Sequence, residues 1–445
     1  MSFFALICLL LALTAILAWV NDRIGKLPTS IGVMFGGLAI ALAMLLSDEF
    51  FREFNGGWFK NLVKEIDFGA LLINMPAATS EPGSGCLLGL LLFATAIRIE
   101  PTIFKRVRIS LIVWLSTGGV LLTAFGTALL LTVTISLVQG TDVPFIYMLL
   151  FGAILAPTDP VAIMDLLKKA GVSGTIRDVI GGEALFNDAA SIVLFLLVVG
   201  VLTGNVKDTS MAHVITVFAL EVGSGFGVGL AVGGIACLLI RTARRTIVVV
   251  LVTLAAALAT CILTPLLHGS VPLASVACGL LIGRLAIARR PAREQETTDF
   301  WWVVENALTT IIFLIVGLEL LAVDFNYYYA LIWGLCTVPF LFASRLVAVL
   351  IPMFTTKLLS AKWLLTRGQA ILMTWCGLRG TVSLAMAIAI PTELLDQHDR
   401  PVGKLFLSGI FVVVLVTLIF QGLSLARVAR KLGETQKPPP ATAMR

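Results

Sequence analysis

Charge is scarce in this chain. Of its 445 residues only 13% are Asp, Glu, Lys or Arg, while 58% are hydrophobic. One soluble core has no use for so much apolar surface, so the excess faces lipid and the chain reads as a polytopic membrane protein. Histidine is rarer still. His213, His268 and His398 sit near separate loops, which argues against a histidine-based metal or catalytic centre. The seven cysteines (Cys8, Cys86, Cys237, Cys261, Cys278, Cys336 and Cys376) lie in or beside apolar runs, with neither CxxC nor Cys/His spacing. They read as small interior residues rather than a disulfide frame or a metal site. Residues 1–20 lack a basic n-region and a small-residue cleavage site, and so read as a first span instead of a signal peptide. No stretch is polar and long enough for a soluble domain, and the tail after Ala426 is short, basic and proline-rich.

What is present is a succession of long apolar runs. A window of about 20 residues marks thirteen spans. They fall near 2–20, 28–47, 68–97, 109–138, 145–167, 181–203, 219–240, 246–264, 270–288, 300–322, 327–356, 370–392 and 404–425. The third is the least regular, because "INMPAATSEPGSGC" (73–86) interrupts it with two prolines, glycines and Glu81. Loop charge tests the count. With the N-terminus outside, the odd-numbered loops and the tail are cytoplasmic and hold most of the 32 basic residues, in clusters such as Arg241, Arg244 and Arg245. The even-numbered loops hold only Arg52, Lys60, Lys64, Lys207, Arg400 and Lys404. An asymmetry this large would collapse if one middle span were miscounted. The net charge of +6 is therefore a topology signal rather than a sign of nucleic acid, and it suits contact with an anionic lipid surface.

Few ionisable residues remain inside the spans: Asp159, Glu183, Asp188, Glu305, Arg345 and Arg379. Each costs at least ~2.5–3.5 kcal/mol to insert, so such groups face a bundle interior or a cavity and are paired or functional. In "LAPTDPVA" (155–162), Pro157 and Pro160 flank Thr158 and Asp159 and forbid one uninterrupted helix. Irregular backbone at membrane depth is tolerated only where protein or a cavity satisfies it, and transporters hold ions at such half-helix ends. The next span, "GGEALFNDAASIVLF" (181–195), puts Glu183 and Asn187 on one helix face and Asp188 about 100° away. A carboxylate deprived of water there is neutralised by a proton or by a metal cation, and the two compete for it.

"CGLRGTVSLAMAIAIP" (376–391) is the counterpart near the C-terminus, where Gly377 and Gly380 flank Arg379 and interrupt span twelve. An offset of seven spans reverses direction in the membrane, so spans 4–6 and 11–13 are expected to form an inverted pair whose two broken helices cross. Arg379 keeps its proton and needs a carboxylate, for which Glu183 is the expected partner in a structural ion pair. Arg345 reads as a structural partner, and Glu305 with Asn306 as a helix–helix hydrogen bond.

"GAILAPTDPVA", "GGEALFNDAASIV" and "CGLRGTVSLA", in this order and spacing, resemble the sodium/proton exchangers of the NhaP and NHE type. "LASVACGLLIG" (273–283), "FWWVVENALTTIIFLIVGLEL" (300–320) and "ASRLVAVLIP" (343–352) extend the likeness over about 30–426. The resemblance implies an all-α antiporter fold of about thirteen spans with two crossed discontinuous helices. It also implies a homodimer in which a moving core, the spans near 68–203 and 327–425, works against a dimerisation domain of the early spans and about 219–322. By the same resemblance, Asp188 carries the ion and the proton, and Na+ is held at Asp188, Thr158 and Asp159. Asn187 marks the electroneutral branch, and no resident cofactor is implied. Two departures reduce the oxygens on offer: Ala184 stands where some members have serine, and "LLFATAI" where some have glutamate.

The expected function is thus electroneutral exchange of a monovalent cation (Na+, with Li+ or K+ as alternatives) for a proton by alternating access. A potassium/proton efflux antiporter or a cation channel is the competing reading, although no repeated filter sequence is present. A membrane enzyme would need a nucleophile or metal set that neither the cysteines nor the histidines supply.

Overall fold

In lipid a backbone must satisfy its own hydrogen bonds, which leaves helices and closed barrels. The computed structural model takes the first course. It describes residues 3–25, 27, 29–50, 86–99, 109–140, 143–159, 163–164, 167–168, 170–204, 211–288, 291–318, 328–358, 366–391, 394 and 402–432, among which no strand occurs. Sixteen α-helices follow in order: α1 (Phe3–Val20), α2 (Thr29–Phe50), α3 (Cys86–Ile97), α4 (Ile109–Val113), α5 (Gly119–Gln139), α6 (Phe145–Leu155), α7 (Gly174–Leu202), α8 (Met211–Thr242), α9 (Thr246–Leu266), α10 (Val271–Ile282), α11 (Pro291–Leu318), α12 (Tyr328–Leu358), α13 (Arg367–Trp375), α14 (Thr381–Ile388), α15 (Val402–Val416) and α16 (Leu423–Lys431). Wide π turns at 114–118 and 417–422 join α4 to α5 and α15 to α16.

Among the described residues, eight helical stretches are long and apolar enough to cross a membrane, with four shorter apolar ones beside them. Only Cys86–Ile97 of the third span is described, and residues 51–85, with most of the interrupting segment, lie outside the described residues. Two helices begin well before their apolar runs: α7 at Gly174 and α11 at Pro291. Hydropathy marks only the part of a helix that meets lipid; "PAREQETTD" is polar but, after its first-turn proline, rich in residues that propagate a helix.

The chain forms two compact units. The first comprises residues 1–100, 195–332 and 384–411. Here α2 packs on α11, α10 on both α3 and α8, and α9 against α3 and α10. Close approach explains the small residues: a Cβ on Gly279 or Gly283 would press into the α3 backbone between Phe93 and Ile97. Trp301 is fully buried against Phe93, with ring centroids 4.9 Å apart, and its indole N–H donates to Thr253 Oγ1 at 3.0 Å. Arg98 forms an ion pair with Glu305, to which the Thr95 hydroxyl also donates at 3.2 Å. Glu305 of α11 therefore does bridge two helices, through Thr95 of α3 and Arg98 just past its end. Asn306 instead donates to Trp302 O within its own helix at 2.7 Å.

The second unit comprises residues 101–194, 333–383 and 412–445. Its α5 and α6 lie so close that a Cβ on Gly152 would collide with the Ala124 carbonyl. Trp114 Nε1 donates to Ala348 O at 3.3 Å and ties the first π turn to α12. Two helices of this unit stop in mid-span. α6 ends at Leu155, just before Pro157, which has no N–H to continue the ladder. α13 opens on a capping box between Thr366 and Gln369 and closes when Cys376 N bonds Leu372 O at 2.8 Å. Residues 377–380 are then non-helical until α14 begins at Thr381.

Candidate functional site

Every residue of the site belongs to the second unit. The two breaks meet. Asp159 N donates to Leu378 O at 2.9 Å, and the Asp159 carboxylate lies directly over Gly380, whose missing side chain makes the room. A Cβ at Gly377 would come 3.1 Å from the Thr374 carbonyl and 3.7 Å from Arg345 Cγ. Pro160 falls outside the described residues.

The expected pairing of Glu183 with Arg379 is not what forms. Glu183 is ion-paired with Arg345 of α12, both buried. Arg379, also buried, donates from Nη1 to Ala156 O at 2.5 Å and to Pro157 O at 2.9 Å. The reason lies in the broken helix. Where α6 ends, its last carbonyls have no intrahelical N–H, and the negative end of the helix dipole gathers there. A guanidinium on the facing break satisfies both needs at once, with several donors in a fixed fork. Arg379 still feels Glu183 and Arg345 electrostatically, so the three charges form one cluster with net charge +1. Arg379 N in turn donates to Thr417 Oγ1 at 3.4 Å, on the second π turn.

α7 carries the remaining groups. Asn187 is fully buried, and its amide N–H donates to Thr158 Oγ1 at 3.0 Å, joining α7 to the first break. Ser191, one turn on, donates to Asn187 O at 2.8 Å and holds that turn. Asp188 is buried beside it and lies within electrostatic reach of Asp159. Its Oδ1 is closed off from solvent and has no hydrogen-bond partner among the described residues. A buried carboxylate oxygen left this way is costly unless a proton or a cation completes it. Thr158, Asp159, Asn187 and Asp188 are thus brought together; Ala184, buried on the same helix, adds no oxygen. No group of three or more His, Cys, Asp or Glu suited to a tightly held metal occurs among the described residues.

Ser191 and Thr417 were not singled out from sequence. Ser191 was legible, since i+4 from Asn187 places it on the same face. Thr417 was not, since nothing local links it to a loop 38 residues away.

The chain as a whole has relatives. The family described as "Sodium/hydrogen exchanger, transmembrane" matches residues 9–431. The chain belongs to the sodium/hydrogen exchanger family. Among the exchangers it resembles, the Na(+)/H(+) antiporter NhaP of Pseudomonas aeruginosa is 31% identical over 96% of each chain. The Na(+)/H(+) antiporter ApNhaP of Aphanothece halophytica is 30% identical over 72% of this chain and 59% of its own. The solved structure of the sodium proton antiporter MjNhaP1 from Methanocaldococcus jannaschii covers 91% of this chain and 98% of its own, with a TM-score of 0.63 at 20% identity. The exchanger is therefore an integral membrane protein with that all-helical antiporter fold.

Proposed function

We propose that this exchanger moves one monovalent cation, Na+ in the first place with Li+ and K+ as alternatives, against one proton per cycle, and that both compete for Asp188. The observation that carries the reading is the buried Oδ1 of Asp188, without a partner, beside the Asn187–Thr158 hydrogen bond. A single carboxylate accepts a proton or a cation but not both, so loading one releases the other. Thr158 and the Asp159 region supply further oxygens, and water completes the shell where Ala184 offers none. Alternating access follows from this chemistry: a neutralised carboxylate crosses the low-dielectric barrier, whereas a bare one pays a desolvation penalty.

A cation channel fits the crossing less well. The carbonyls of Ala156 and Pro157, the oxygens that a filter would offer a passing ion, are engaged by a permanent cation, Arg379. We assign the spans near 68–203 and 327–425, which carry Asp188, to the moving core and the early spans with about 219–322 to a homodimer interface, in a membrane with the N-terminus outside and the C-terminus in the cytoplasm. The 32 basic residues, concentrated in the odd-numbered loops, support that orientation.

The test is proton flux in proteoliposomes after pulses of NaCl, LiCl and KCl. Wild-type protein should release protons against sodium, and Asp188→Asn should match protein-free liposomes. Flux retained by Asp188→Asn would move the carrier role to Asp159.

A further inference from the structure

The first unit contains a feature that exchange at Asp188 does not use. Five thiols lie on helices of this unit: the exposed Cys8 on α1, and Cys86 on α3, Cys261 on α9, Cys278 on α10 and Cys237 on α8. Two of them touch. Cys261 Sγ lies 3.8 Å from the Cys86 carbonyl oxygen, and the two side chains are within hydrogen-bonding reach of one another. Gly89 makes this possible. It sits one turn beyond Cys86 on the same face of α3, and a Cβ there would come 2.8 Å from Cys261 Sγ. The missing side chain leaves a notch lined by the Cys261 sulfur and by Val271 and Ser275 of α10. Cys237 is turned elsewhere, 3.7 Å from Leu281 O, and Cys278 toward Thr260.

We propose that Cys86 and Cys261 are a redox-active dithiol, a modification site at which oxidation ties α3 to α9. A disulfide needs the sulfurs about 2.05 Å apart, and the notch at Gly89 gives the Cys261 side chain room to turn toward Cys86. Cys86 is half-buried and is the end that reagent reaches; Cys261 is buried and completes the bond. With a membrane-permeant azodicarboxamide (diamide) as oxidant, the Cys86 thiolate adds to one nitrogen of the N=N bond. The Cys261 sulfur then attacks the Cys86 sulfur, the S–N bond breaks, and the reagent leaves as the hydrazine with the two thiol protons. Two thiols become one disulfide, and the azo group takes up the two electrons.

The test uses full-length exchanger in lipid nanodiscs. Cys8→Ser and Cys336→Ser remove the two exposed thiols and with them cross-links between molecules. After diamide, denaturation and polymer–maleimide labelling, this background should lose two labels, dithiothreitol should restore both, and digestion should give one peptide joining the segments of Cys86 and Cys261. Adding Cys86→Ser should abolish the loss. An unchanged label count, or the same loss in the Cys86→Ser protein, would overturn the proposal. If that variant does not fold, the peptide map decides alone: a bridge joining any other pair has the same force as an unchanged count.

Discussion

The two units handle buried polarity in opposite ways. In the first, α11 runs unbroken through Glu305, which pairs with Arg98 just past the end of α3 and which Thr95 completes. Hydroxyls bond back to their own helices, as Thr260 does to Ala256 and Thr264 to Thr260. What this unit leaves without a hydrogen-bond partner among the described residues is neutral: the hydroxyls of Ser270, Ser275, Thr297 and Thr309. In the second, two helices are interrupted, a guanidinium is turned onto orphaned carbonyls, and a carboxylate oxygen is left open. An unpartnered hydroxyl costs about 1–3 kcal/mol, and an unpartnered charge more. Proteins tolerate the first as imperfect packing. The second persists in a membrane only where a mobile ion or proton completes it.

The sharpest way to break this contrast is to remove the open charge. Asp188→Asn keeps the shape and should leave a folded protein whose exchange falls to background for every alkali cation. Circular dichroism and thermal unfolding should be near wild type, since Oδ1 has no hydrogen-bond partner to lose among the described residues. A comparable change at Glu183 should do the reverse. Glu183→Gln strands Arg345, and should lower stability by about 3–5 kcal/mol, as should Arg345→Met for the mirror reason. The double variant should be milder than the sum of the singles. Simple additivity in denaturant titrations would show that the two do not act as a pair.

Gly380→Ala tests the crossing itself. Its methyl would enter the space held by the Asp159 carboxylate, so the two breaks must separate. We expect a stability loss of about 1–3 kcal/mol, typical of overpacking, and an apparent sodium affinity that weakens along with it. Glycine at 380 is required by contact rather than by a positive φ, so Gly380→Ser should fare no better. A smaller effect is expected from Arg98→Gln in the first unit. The Arg98 side chain is 28% exposed, so water compensates for much of the lost pair and about 1 kcal/mol is expected. Exchange per folded molecule should not change; a fall in turnover would place that pair in the transport cycle.

These contrasts also mark what a linear sequence can carry. The helix breaks were legible because their causes are local: Pro157 lacks a donor, and glycines flank Arg379. The Asn187–Asp188 pair was legible as two neighbouring polar positions in an apolar helix. The partner of Arg379 was not. Charge matching pointed to Glu183, but the winning acceptors are the backbone carbonyls of Ala156 and Pro157, which become acceptors only because α6 stops there and α13 crosses it. Glu183 was left to Arg345, 162 residues away on α12, a choice fixed by packing that no local pattern encodes. The Cys86–Cys261 contact was hidden for the same reason, since its spacing of 175 residues resembles no cysteine motif.

The smallest expected effect is a null one, and it concerns membrane voltage. If Asp188 exchanges one proton for one monovalent cation, each cycle moves no net charge, and an imposed potential neither drives nor slows it. The residue beside it is the neutral Asn187, whose amide is engaged by Thr158. Asp159 acts electrostatically on Asp188, and it lies over Gly380 at the crossing. Were Asp159 to take up and release its own proton, two protons would move against one cation, and voltage would enter the rate. In proteoliposomes clamped at several potassium-diffusion potentials, with choline as the balancing ion and fixed sodium and pH gradients, the exchange rate should stay constant. The same series on Asn187→Asp is the sharpening control: a second carboxylate one residue from Asp188 supplies the like-charge neighbour that the wild type lacks, and should make the rate voltage-dependent if it remains active. A wild-type rate that already scales with voltage would sink one-for-one exchange and make Asp159 a second proton carrier.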